Sequence, residues 1–226
     1  MIYPYVDKIR EFADSVRRRF DYIRAETESR LSGHCADPLT LYAVDPREIE
    51  VALQRDVLDD SWCLSPVIGG RWDREVENIE NYDIVYSLEN HFRHGAEWTE
   101  TDLYSRALSC LEGEREWIGH SDFSDMEGLN MYFEKINQLY QKIKSQGYST
   151  QRELSTDENL SFWTPNSTAY ERHEVTVHLD RKGDLILEDG WHRFAIARAL
   201  GLELIPVRVA ARHRDGQNKL EKLPKY

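Results

Sequence analysis

Forty residues near the end of the chain, Glu174 to His213 (EVTVHLDRKGDLILEDGWHRFAIARALGLELIPVRVAARH), constrain its fold more than any other stretch. Val175, Val177 and Leu179 alternate with polar neighbours, the two-residue period of a half-buried strand. Arg181-Lys182-Gly183-Asp184 reads as a turn in which Gly183 can take a positive φ, and Leu185-Ile186-Leu187 as a short return strand. Phe194, Ala195, Ile196, Ala199 and Leu200 recur at helical spacing, with Gly201 where a C′ cap belongs. Leu204 to Val209, opened by Pro206, reads as a third strand. Hairpin, helix, strand: the pattern predicts a mixed α/β (α+β) domain.

The chemistry of this unit is expected at Glu188-Asp189-Gly190-Trp191-His192-Arg193, where the second strand ends and the helix begins. First-turn amides of a helix have no backbone partner and sit at the positive end of its dipole. Gly190 would let the backbone approach a ligand, and His192 and Arg193 add donors, so the segment is a candidate phosphate cradle. Asp189 would also serve as a plain helix cap with Arg193 in a surface ion pair, a reading these residues alone leave open.

Gly190-Trp191-His192-Arg193, Leu200-Gly201 and Ile205-Pro206-Val207 together resemble the ParB/sulfiredoxin superfamily, whose members carry Gly-X-X-Arg at a strand-to-helix junction, then Leu-Gly and an Ile-Pro-Val strand. Asp189-Gly190-Trp191-His192-Arg193 is nearest the Asp-Gly-His-His-Arg form of the free serine kinases, with Trp191 in place of the first His. The reactive Cys of the sulfiredoxin form is absent, and His192 replaces the first Arg of the ParB form. The resemblance reaches back through Gln138–Gln151 and covers about Glu127 to Arg214, under half of the chain. It implies a ParB/sulfiredoxin-like core at 120–214, a mostly helical region at 1–119 packed on it, and an exposed tail at 215–226.

Composition narrows the classes. Against 29 basic residues stand 41 acidic ones, a formal charge of −12, which opposes a broad nucleic-acid surface. Cys35, Cys63 and Cys110 are far apart and odd in number, so a reduced, cytoplasmic protein without a structural zinc site is the simple expectation. No apolar run approaches a membrane span.

In chain order, Tyr5 to Leu31 reads as a helix with an apolar stripe and the basic run Arg17-Arg18-Arg19, either packed on its own domain or docked on a partner or an anionic membrane surface. Leu39 to Val44 reads as a short strand followed by the cap Asp45-Pro46, and "Val-Asp-Pro-x-x-Ile" is similar to the opening of ParB-like domains. The middle is aromatic-rich: Trp62, Trp72, Trp98 and Trp117 surround a helix at Val85–Phe92 ended by His94-Gly95, and a second helix starting at Thr99 or Thr101. Arg71, Asp73, His91 and Trp98 are candidates to hold an acceptor substrate, with core filling as the alternative for the aromatics. Leu129 to Ile143 marks a helix ended by Gly147, and Glu153 to Arg172 a loop or lid.

By resemblance the chain is expected to be a nucleotide-dependent phosphotransferase, a small-molecule kinase acting on a hydroxyl acceptor. Gly190, Trp191, His192 and Arg193 would hold the phosphates of ATP, ADP or CTP, with Arg212 and His213 reaching the nucleotide from beyond the last strand. Asp189 or Glu188 would engage Mg²⁺ or the acceptor hydroxyl, and Asp125 or Glu127 would act as base. Phosphoryl transfer asks mainly for positioning and charge neutralisation. The alternative is a nucleotide-gated ParB-like module regulating DNA or a protein partner.

Overall fold

The structure, a computed structural model, describes residues 40–54, 57–58, 67–113, 123–155 and 173–226. The helix expected at 5–31, Trp62, Trp117, Cys35, Cys63 and most of the expected lid lie outside the described residues.

A seven-stranded mixed sheet forms the centre, as expected for an α/β chain. Its strands are β1 (Leu41–Val44), β2 (Val51–Leu53), β3 (Val67–Ile68), β4 (Val76–Asn78), β5 (Val175–Leu179), β6 (Leu185–Asp189) and β7 (Ile205–His213). The order is β1-β7-β5-β6-β2-β4, and β3 joins the far end of β7 beside β1. β5 and β6 pair antiparallel across the expected turn, with Gly183 at φ +87°, whereas β5 runs parallel to β7, and β2 parallel to β6.

Among the described residues, five α-helices accompany the sheet: α1 (Asp83–Glu89), α2 (Asp102–Leu111), α3 (Met126–Gln146), α4 (Gln151–Ser155) and α5 (Trp191–Leu200). Their ends follow local chemistry. The Asp125 carboxylate accepts from the Gly128 amide at 2.8 Å to start α3, and Gly147, at φ +84°, ends it. Thr101 caps α2. α1 runs on into a π-helical turn, Asn90–His94, that stops at Gly95.

The main core lies between the helices and one face of the sheet. Val175, Val177, Leu179, Leu187, Val207 and Val209 meet Leu129, Phe133 and Ile136 of α3 and Phe194 and Ile196 of α5. Each such side chain taken fully from water contributes roughly 1.5–3 kcal/mol. The opposite face carries a smaller cluster of Leu53, Trp72 and Ile186. Both faces of β5 are therefore covered: all five residues are buried, including Thr176 and His178, where alternation alone predicts one wet face.

Three expectations are corrected here. Among the described residues, those before 120 are not a helical layer on a separate core, because β1 to β4 belong to the same sheet. The last strand does not end at Val209 but continues to His213, so Arg212 and His213 sit within β7, 4% and 2% exposed. The tail is docked: the Ala43 amide donates to Pro224 O, the Tyr226 amide donates to Leu41 O, and Leu220 is buried. β1 is an edge strand with unpaired backbone groups, and the tail satisfies some of them.

Candidate functional site

The junction of β6 and α5 forms as its residues suggest. Gly190 adopts a left-handed conformation (φ +83°, ψ +26°) directly before α5. A Cβ there would lie 2.7 Å from Val175 Cα, so the first residue of β5 backs directly onto the turn. Only glycine fits both the conformation and the space. The Gly190 amide donates to Asp189 Oδ1 at 2.7 Å, and Phe194 N donates to Gly190 O, closing the first helical turn.

Around that turn, Trp191 packs on Tyr82 with ring centroids 4.5 Å apart and donates its indole N–H to Glu188 O at 3.2 Å. His192 Nε2 lies 2.7 Å from the hydroxyl of Tyr132 on α3. Burial pushes the Tyr132 phenol well above its ordinary range, so it stays protonated. The N-terminal half of α3, which carries Asp125 and Glu127, is thereby held against the first turn of α5. Asp125 spends one oxygen as the α3 cap; Glu127 stands exposed in the first turn that follows it.

Arg193 is engaged differently from the cradle expected of it. It is 6% exposed, donates through Nη1 to Glu174 Oε2 at 2.5 Å and through Nη2 to Ser149 O, and lies 4.3 Å over the Tyr148 ring. Glu174 also accepts from the Gln151 amide at the start of α4. One buried carboxylate thus ties the first turns of α4 and α5 together.

Glu188 accepts from His178 Nε2 at 3.0 Å. The Ala211 amide donates to His178 Nδ1, which fixes the tautomer with hydrogen on Nε2. One Glu188 oxygen is therefore taken, and its side chain remains partly exposed beside Asp189.

The remaining candidates do not join this site. Asp73 holds the turn at the other end of the hairpin, taking the Arg181 guanidinium through both oxygens; that contact keeps its carboxyl below the ordinary range. Because β6 spans five residues at about 3.3 Å each, this end is roughly 15 Å from the junction. His213 belongs to the same end, donating from Nε2 to Gly70 O while its Nδ1 accepts the Asp215 amide. Arg212 is level with Leu179, also at this end, and Arg71 is exposed next to Asp73. His91 and Trp98 form a third group: their rings stack 3.9 Å apart, and the Trp98 indole N–H donates to Asn137 Oδ1 on α3.

Residues that pattern reading passes over are Tyr82, Tyr132, Glu174 and His178. Tyr132 fits the apolar spacing of α3, and Glu174 directly precedes a strand, so neither stands out in the sequence. No group of three or more His, Cys, Asp or Glu side chains able to hold a metal ion occurs among the described residues. Compared with family models, curated proteins and solved structures, the chain finds no match in any of the three.

Proposed function

We propose that the chain is a nucleotide-binding phosphotransferase that acts on a hydroxyl of a small acceptor, with the β6–α5 junction as its phosphate site. The observation that carries this reading is Gly190: a left-handed glycine with no room for a Cβ, between a strand end and a ten-residue helix, with Asp189 just before it and His192 in the first helical turn after it. The superfamily resemblance of Asp189-Gly190-Trp191-His192-Arg193 points the same way.

In this reading the amides of the first turn of α5 and His192 hold the phosphates, and the helix dipole favours their charge. Arg193 acts from behind, its ion pair with Glu174 keeping the turn in shape. Mg²⁺ bound with a nucleotide would neutralise phosphate charge and needs only one or two protein carboxylates, which Asp189 and the second oxygen of Glu188 fit. Glu127, carried by the helix that Tyr132 pins to His192, is the base for the acceptor hydroxyl.

Binding without transfer is the second reading. It is favoured by the engagement of Arg193, which leaves the junction one mobile cation short of what a transferring phosphoryl group uses.

The test is calorimetric titration of ATP, ADP and CTP with Mg²⁺ into wild type and His192→Ala, followed by a product screen on hydroxylated acceptors. Binding that weakens in the variant, with phosphorylated product, supports the phosphotransferase. Binding without product under all acceptors selects the second reading, and no binding to wild type at millimolar nucleotide rejects both.

A further inference from the structure

A cavity lies on the neighbouring face of α3. Asn130, Phe133, Glu134 and Asn137, spaced i, i+3, i+4 and i+7, form one wall of a cavity of about 270 Å³. Trp98 and Tyr104 complete it, with ring centroids 4.8 and 5.3 Å from that of Phe133. Three aromatic rings thus converge on one small space. Its charged lining among the described residues is acidic only, Glu97 and Glu134.

The rings are held before any ligand arrives. Trp98 is fixed on one face by the His91 stack at 3.9 Å and at its edge by the indole N–H bond to Asn137 Oδ1 at 3.1 Å. His91 in turn donates Nδ1–H to Ala96 O at 2.7 Å from within the π-helical turn, a kind of irregularity frequent at functional sites. Glu97 serves in a capping box with Glu100, and Glu134 accepts from Gln138 at 3.1 Å; a carboxylate has about four acceptor positions, so each keeps capacity for a cation.

We infer that this cavity binds a small alkylammonium ion. Aromatic faces carry negative potential and attract cations, and two carboxylates at the rim reinforce that preference and repel anions. The volume lies just under the range for drug-sized ligands, which suits an ammonium group with a short substituent. This site is separate from the junction: Phe133 faces the cavity while its neighbour Tyr132 meets His192, and the inference does not rest on the phosphotransferase reading.

The experiment uses the full chain, with choline as probe and, as control, the alcohol in which a tert-butyl group replaces trimethylammonium. Binding is read by calorimetry and by the shift of the Trp98 indole N–H signal in a heteronuclear spectrum. Choline is expected to bind about tenfold more tightly than the neutral isostere. Glu134→Gln, an exposed position that does not threaten folding, is expected to weaken choline several-fold, and Trp98→Leu to abolish binding. Equal affinity for the two compounds, no binding to wild type, or choline affinity unchanged in Glu134→Gln with an unmoved Trp98 signal would each overturn the assignment.

Discussion

Arg193 Nη1 lies 2.5 Å from Glu174 Oε2, with the arginine 6% and the glutamate 1% exposed. The pair joins the first turn of α5 to the residue entering β5, and the Gln151 amide on the same carboxylate adds α4. The junction that would face a phosphate is therefore braced from behind by a charge pair in the interior.

Breaking one side of such a pair leaves an uncompensated buried charge. Arg193→Ala is expected to cost roughly 3–5 kcal/mol of unfolding free energy, read by urea denaturation. The double variant Arg193→Met with Glu174→Gln should recover part of that loss, because no lone charge remains. A single variant within about 0.5 kcal/mol of wild type would show that the pair does not brace the fold.

Gly190 and Gly201 are both left-handed, at φ +83° and +66°, yet their surroundings differ. An added Cβ meets Val175 Cα at 2.7 Å in the first and nothing within 4 Å in the second. Gly201→Ala should cost only the conformational penalty, about 1 kcal/mol, and Gly190→Ala clearly more. Thermal unfolding of the two variants compares them directly, and equal losses would contradict the close approach of β5.

Asp73 introduces a pH dependence. Arg181 lowers its folded-state pKa beneath the ordinary 3.8, so near that pH the unfolded chain binds more protons and stability rises with pH. The contribution is complete above about pH 5 and disappears as pH falls through the depressed value. Asp73→Asn should lower stability at pH 7, with the gap to wild type narrowing as pH falls below the ordinary 3.8. A gap that stays constant over that range would remove Asp73 as its source.

The docked tail should carry measurable stability. Leu220 is 5% exposed and packs on the main core, so Leu220→Ala is expected to cost roughly 2–4 kcal/mol. Hydrogen exchange at the Ala43 and Tyr226 amides should quicken in the same variant. A tail lying free in solvent would leave both readouts unchanged.

Local chemistry alone determined a good part of this protein. Alternating valines specify β5, the apolar 3.6-residue spacing and Gly201 specify α5, Asp125 and Gly147 bound α3, and Gly190 marks a turn that only glycine can make. These features depend on residues within a few positions of one another, so the chain itself states them. Tertiary structure decided the rest. β2, β3 and β4 are two or three residues long, too short to show a period; β2 and β3 exist because β6 and β7 offer them partners more than a hundred residues away, and β4 pairs in turn with β2. The same holds for Arg193, Arg212 and Asp73, which read in the sequence as candidate ligand-binding residues. Whether a guanidinium meets a ligand or an interior carboxylate depends on which distant element packs over it, and that is settled only when the sheet closes.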